Sequence, residues 1–261
     1  VKYFNNGTES SWVENLVFED VDMSQLQRGV GIVCITKLYL KDEFVYEETQ
    51  DKYGLNHKDI AETVWFPHIT TKLRDITTGD NIALTPDAGS VGLIDTVSYY
   101  DLAPYSYLTR VANMSDEYIK PESYYVVGTL YDITDPDNKF VVKTTRTQFN
   151  TPIGENGYNG TVDLRYENLN LVAGHTYCAT AELYASKSNV LLARHEDFED
   201  ENQTVYTVSI GTTANDNKTG THTGTVADDE DGIEIFEDTV EYNNLVVGKT
   251  YTITGTLYDV A

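Results

Sequence analysis

The sequence predicts an all-β chain assembled from repeated sandwich units, and three observations carry that expectation. β-Branched and aromatic residues are plentiful, with 20 Tyr against 2 Met, a composition that suits pleated, half-buried surfaces. Apolar and polar residues alternate in short segments such as Val240-Glu241-Tyr242 and Thr250-Tyr251-Thr252-Ile253-Thr254, separated by Gly, Asn and Asp turns. The same motifs also return along the chain after roughly 140 residues, which is the mark of an array of similar units.

Taken in chain order, Leu26-Gln27-Arg28-Gly29 followed by Leu38-Tyr39 matches Leu171-Val172-Ala173-Gly174 followed by Leu183-Tyr184. Thr63-Val64 and Ile69 match Thr204-Val205 and Ile210. Asp95-Thr96-Val97-Ser98-Tyr99-Tyr100-Asp101-Leu102 returns as Asp238-Thr239-Val240-Glu241-Tyr242-Asn243-Asn244-Leu245, and Val127-Gly128-Thr129-Leu130-Tyr131-Asp132 returns as Thr254-Gly255-Thr256-Leu257-Tyr258-Asp259. The chain therefore divides into the back half of one repeat (1–75), one whole repeat (76–213) and the front half of a third (214–261). An insertion between Pro104 and Pro121 is expected as a helix or ordered excursion.

With 42 acidic and 18 basic residues, the formal charge of -24 repels a phosphate backbone and leaves no basic face for nucleic acid. The same charge disfavours anionic lipid, and no apolar run approaches the ~20 residues of a spanning helix. Cys34 and Cys178 sit in apolar, strand-like stretches and read as buried free thiols. Neither a signal peptide nor a wall-anchoring tail occurs, so the sequence reads as an internal fragment. The acidic loop Asp228-Asp229-Glu230-Asp231-Gly232 lacks a full calcium-loop pattern and reads as a solvated turn, so no metal or cofactor is expected.

The segment His195-Glu196-Asp197-Phe198-Glu199-Asp200-Glu201-Asn202-Gln203-Thr204-Val205 has the form H-x-D-x-x-D-x-x-Q-T-V. It follows D-T-V-x-Y at residue 95 and G-T-L-x-D at residue 128. In these three motifs the chain resembles the VaFE-type repeats, the Thr–Gln ester-bond domains of Gram-positive surface adhesins. The resemblance implies Ig-like sandwich repeats of the collagen-adhesin B type, on the bacterial cell surface and wall-anchored in the full-length protein. It also implies a structural stalk module with mechanical and protease resistance rather than an enzyme. Its chemistry would be a single internal event in which a Thr hydroxyl attacks a Gln carboxamide and ammonia leaves. By motif position the pair is Thr96 and Gln203, assisted by His195, Asp132 and Glu182, with Asp197 and Asp200 shaping the closing turn. A hydroxyl is a weak nucleophile and an amide a poor electrophile, so such a reaction needs both groups held together in a dry core with acid–base help.

The first half repeat departs from the pattern, with Lys37 in the place of Glu182 and His57-Lys58-Asp59-Ile60-Ala61-Glu62-Thr63-Val64 as its closing segment. Glu62 would stand for Gln203, and a carboxylate is a far worse electrophile than a carboxamide, so no ester is expected there; Lys37 and Glu62 would pair as a salt bridge. The third unit supplies Thr239 with no downstream partner. Partners are accordingly neighbouring repeats, with strand complementation between the outer halves. An alternative function is a carbohydrate- or host-ligand-binding sandwich using Tyr99, Tyr100, Tyr105, Tyr107, Tyr118, Tyr124 and Tyr125. A hydrolase is disfavoured, since no P-loop, zinc spacing or G-x-S-x-G elbow is present.

Overall fold

The computed structural model describes residues 15–23, 31–34, 36–48, 63–85, 92–102, 123–151, 158–224 and 235–259. The 104–121 insertion, the 228–232 loop, His57, Glu62, Tyr105, Tyr107 and Tyr118 lie outside them. Every regular element of length among the described residues is a strand: β1 (Gly31–Val33), β2 (Thr36–Leu40), β3 (Glu43–Glu48), β4 (Thr63–Trp65), β5 (His68–Asp75), β6 (Gly92–Leu102), β7 (Ser123–Asp132), β8 (Phe140–Asn150), β9 (Tyr158–Glu167), β10 (Thr176–Ala185), β11 (Leu191–His195), β12 (Thr204–Tyr206), β13 (Ser209–Asp216) and β14 (Phe236–Asn243). A 3-10 turn, Glu201–Gln203, precedes β12.

The middle unit is a two-sheet sandwich. One sheet has the order β5-β6-β9; the other runs β11-β10-β7-β8, with β12 also paired to β10. β11 and β12 share one edge of β10 in tandem, against Ala181–Tyr184 and Thr176–Cys178 respectively. Period-2 alternation decides which residues enter the core. From the first sheet these are Ile69, Leu73, Leu93, Val97, Tyr99, Leu164 and Tyr166, and from the second Val126, Leu130, Tyr177, Ala179, Ala181, Leu183 and Val205. The unit closes at Tyr206, whose backbone bridges in parallel to Ile82 and whose carbonyl accepts the Ala83 N–H at 2.8 Å. The first and last strands of the unit are thereby neighbours, as β5 also packs against β11, β12 and the 3-10 turn.

That arrangement moves the unit boundaries. β5 pairs with β6 along its whole length, from His68↔Tyr100 to Asp75↔Leu93, so residues 68–75 belong to the complete unit and not to the preceding half. The same phase recurs downstream, where β13 pairs with β14 in the register of β5 with β6. Ile210↔Tyr242, Thr212↔Val240 and Ala214↔Asp238 reproduce Ile69↔Tyr99, Thr71↔Val97 and Leu73↔Asp95. The following turn is also copied. Asp75 Oδ1 accepts the Thr77 and Thr78 N–H groups, Asp216 Oδ1 accepts those of Lys218 and Thr219, and Gly79 and Gly220 supply the left-handed residue at φ 68° and 65°. The third unit therefore starts near residue 208, with β13 as its first strand. Ile69 is 4% exposed and Ile210 65%, because no second sheet covers β13 and β14 among the described residues.

The first unit repeats the back of the middle one. β1 pairs with β4 through Ile32↔Val64 and Val33↔Thr63, as β10 pairs with β12 through Tyr177↔Val205 and Cys178↔Thr204. β2 and β3 carry the same irregularity at Leu38/Tyr39 that β10 and β11 carry at Leu183/Tyr184. In this register Glu48 opposes Thr36 where His195 opposes Ala181, so the position equivalent to His195 is Glu48 rather than His57. Lys37 lies across from Glu47 as Glu182 lies across from Arg194, with the two charges exchanged between strands.

Candidate functional site

The closing segment places Gln203 in the core. Asp197 Oδ1 accepts the Glu199 N–H and Asp200 Oδ1 accepts the Asn202 N–H, two local caps that fold the chain into the 3-10 turn. Gln203 at the end of that turn is completely buried, and its carboxamide is held at both ends. Nε2 donates to the Ala179 carbonyl at 2.7 Å, while Oε1 accepts the Asp197 N–H at 3.3 Å. The backbone donor is aimed at the oxygen on which charge would develop during attack at the carbonyl carbon, as in an oxyanion hole.

A buried hydroxyl stands on β5, the strand of the opposite sheet that packs against this turn and against β11. On β5 the alternation sends Ile69, Thr71, Leu73 and Asp75 inward, and Thr71, 5% exposed, has its Oγ1 3.5 Å from His195 Nδ1. The other ring nitrogen, Nε2, lies 3.6 Å from Asp200 Oδ2. Hydroxyl, imidazole and carboxylate are thus in line, the order in which a neutral ring accepts a proton from an alcohol while its far side is oriented by a negative charge.

Asp95 faces inward on β6 and is fully buried. Burial pushes its carboxyl up to about 7, the Asp163 charge adds to the rise, and the Lys72 amide offsets part of it. Neither carboxyl oxygen reaches a partner in hydrogen-bond geometry. A carboxyl of this kind holds a proton near neutral pH and can donate it. Cys178, beside the turn with its Sγ 3.8 Å from the Asp197 carbonyl, is pushed up to about 12 by burial and is no nucleophile at neutral pH. Both Cys34 and Cys178 are free.

The site residues expected from the motifs separate into two groups. His195 and Gln203 both lie where β5 packs, His195 at the end of β11 and Gln203 in the closing turn. Thr96 does not join them: it lies on the outer face of β6 and its Oγ1 donates to Asp163 Oδ1 at 2.9 Å, so its own sheet stands between it and Gln203. Glu182 also faces outward, ion-paired to Arg194 at 2.6 Å and accepting the Tyr184 hydroxyl at 2.8 Å. Asp132 is buried but engaged elsewhere, 2.6 Å from His175 Nδ1 and accepting the Thr134 hydroxyl. Burial works to raise its carboxyl, and the His175 and Thr134 hydrogen bonds outweigh that and hold it below the usual range. Thr71 is the residue that motif matching missed; Asp95 and Asp200 stood inside the motifs, Asp95 with no role given and Asp200 as a turn residue only. Alternation was the available signal: Leu93, Asp95 and Val97 share one face of β6, and Thr96 falls on the other.

Among the described residues, the tyrosines weighed for ligand stacking are already occupied. Tyr99 stacks on Phe149 at 4.8 Å, Tyr100 on His68 at 4.5 Å and Tyr125 on Tyr184 at 4.9 Å. The Arg146 guanidinium covers the other face of Tyr125 at 3.6 Å, and Tyr124 is 2% exposed.

Known proteins resemble this arrangement at several levels. The family model described as "T-Q ester bond containing domain" matches residues 67–207 and again 208–261, boundaries that agree with the strand phase. No curated protein matches. A bacterial adhesin from Mobiluncus mulieris, described as containing intramolecular disulfide, isopeptide and ester bond cross-links, is similar at 12% identity and TM-score 0.37, covering 67% of this chain and 76% of that one. A second crystal form gives 13% and 0.34. A Bacteroides uniformis β-glucuronidase is similar at 10% identity and TM-score 0.35, over 57% of this chain and 15% of the enzyme. With two consecutive matches across more than half of its length, the chain belongs to the family of T-Q ester bond containing domains.

Proposed function

We propose that the middle unit ties its first strand to its last by an ester between Thr71 Oγ1 and the Gln203 side-chain carbonyl carbon, and that it serves as a structural module of an extracellular bacterial adhesin or stalk. The observation that carries the reading is the approach of Thr71 Oγ1 on β5 to His195 Nδ1, β5 being the strand that packs against the closing turn in which Gln203 is buried. His195 takes the Thr71 proton, Oγ1 bonds to the carboxamide carbon, and the oxygen of the tetrahedral intermediate is held by the Asp197 N–H. Asp95 protonates the departing nitrogen, the C–N bond breaks and ammonia leaves. The site ends as an imidazolium and a carboxylate, with its total charge unchanged. The reaction happens once per unit, so the protein is no turnover enzyme.

The mechanical consequence follows from where the chain enters and leaves. Tension along a row of units arrives at β5 and departs through β12, and a bond from residue 71 to residue 203 carries it past nearly all of the fold. In the first unit Glu48 takes the place of His195, and the sequence offers Glu62 where Gln203 would stand, so that unit forms no ester. In the third unit the equivalent hydroxyl is Thr212 and not Thr239. The test is intact mass of the chain: a loss of about 17 Da, one ammonia, in the wild type and none in Thr71→Val. Wild-type mass without the loss would remove the ester from the account.

A further inference from the structure

Tyr166 is an expensive residue for the place it fills. On β9 it is fully buried and its hydroxyl has no hydrogen-bond partner, a loss that Phe would avoid, since a buried polar group without a partner forfeits the hydrogen bonds it made to water. It also requires Gly128 in the middle of β7, where a Cβ would stand 2.3 Å from the Tyr166 hydroxyl oxygen. Glycine weakens a strand interior. The phenolic oxygen is thus kept inside the sandwich without a hydrogen bond of its own, and it shares with Leu164 Cδ1, 2.6 Å from the same Cβ position, the space that a side chain at residue 128 would fill.

The register says what that oxygen is near. Leu93 opposes Tyr166 and Asp95 opposes Leu164, so Asp95 and Tyr166 are diagonal neighbours on the inner face, about 7–8 Å apart at the backbone and within reach of a long aromatic side chain. On the other flank of β6, Leu73 opposes Asp95 and Thr71 opposes Val97, so Thr71 is the diagonal neighbour of Asp95 as well. Thr71, Asp95 and Tyr166 therefore cross the inner face of this sheet in one row, with Asp95 between the hydroxyl that attacks and the phenol that has no partner. The carboxyl oxygens of Asp95 and the Tyr166 hydroxyl oxygen are all orphaned, and the Asp95 charge raises the Tyr166 phenol beyond what burial alone does.

We propose that Tyr166 is a positioning residue for the crosslink, whose O–H turns onto the Asp95 carboxylate at the moment Asp95 gives its proton to the leaving nitrogen. This inference rests on the ester reading and adds the group that stabilises the spent acid. It needs no outside reagent: the Asp95 proton leaves on ammonia, the Thr71 proton stays on His195, and the new negative charge in the core is met by a phenolic donor instead of by water. Charge-assisted hydrogen bonds of this kind are the strong ones.

Two measurements test it. In the first, wild type and Tyr166→Phe are synthesised in a cell-free system at a series of pH values and the loss of ammonia is followed by intact mass. The proposal expects Tyr166→Phe to fold, to crosslink about tenfold more slowly or worse, and to move the high-pH fall in rate upward by about one unit, because a carboxylate that loses a donor holds its proton more tightly. A Tyr166→Phe chain with the wild-type rate and pH profile would overturn it. In the second, the Asp95 carboxyl is titrated by carbon-13 NMR in Thr71→Val and in Thr71→Val with Tyr166→Phe, neither of which crosslinks. The proposal expects a higher midpoint in the double variant, and equal midpoints would overturn it. If the wild type never loses ammonia, the ester reading fails by itself, and the NMR comparison still decides whether Tyr166 and Asp95 are coupled.

Discussion

Thr71 Oγ1 and His195 Nδ1 lie 3.5 Å apart although 124 residues separate them in sequence. No local element brings them together; β5 opens the unit and β11 precedes its close, and only the completed sandwich puts one against the other. An autocatalytic bond at this point can therefore form only after folding, and it records that folding has occurred.

The hydroxyl assignment makes opposite predictions for two threonines. Thr71→Val, nearly isosteric in the core, abolishes the mass loss of about 17 Da. Thr96→Ala leaves it intact and costs about 0.5–1.5 kcal/mol for the lost bond to Asp163. Intact mass on the two variants distinguishes them directly.

Asp200 has two jobs that substitution can separate. Asp200→Asn keeps an oxygen to accept the Asn202 N–H and removes the charge beside His195. The turn should persist, seen as unchanged exchange protection of the Gln203 amide, while the crosslinking rate falls about 10²-fold or more. His195→Ala falls at least as far.

Asp95 sets a pH dependence whose sign follows from its raised carboxyl. A carboxyl that titrates near 7 when folded and near 4 when unfolded binds its proton more tightly in the native state. Its contribution is therefore greatest at low pH and is lost as pH rises from about 4 to about 7. In the uncrosslinked Thr71→Val background, Asp95→Asn should flatten the stability profile over that window by an amount on the order of 3–4 kcal/mol. Urea unfolding at pH 4.5 and pH 7.5 measures it, and equal pH dependence in the two proteins would remove Asp95 as a raised acid.

Glu182 serves as the outward control. Its ion pair with Arg194 is partly exposed, so Glu182→Ala changes stability by less than about 1 kcal/mol and leaves the crosslink unaffected by intact mass.

Much of this was legible in the sequence. The period-2 segments, the repeat near 140 residues and the spacing from His195 to Gln203 point to sandwich units whose closing turn carries both residues, because each depends on local pattern. The hydroxyl beside His195 was not, since D-T-V looks the same whichever face the Thr occupies. Its neighbours Leu93 and Val97 assign Asp95 to the core and Thr96 to solvent, a conclusion that period-2 geometry permits once the strand is known. Glu182 misleads in the same way, with Ala181 and Leu183 taking the inward positions on β10. Thr71 stayed hidden because β5 reads as the end of one repeat until its pairing with β6 shows that it begins the next.

The central claim is a covalent bond between two named side chains, and peptide mapping of the wild-type chain by mass spectrometry tests it most directly. The account predicts a branched peptide joining the segment that contains Thr71 to the one that contains Gln203, lighter than the sum of the two by one ammonia, about 17 Da, and releasable by base. Recovery of both segments as separate, unmodified peptides, or of a branch at Thr96, would contradict it.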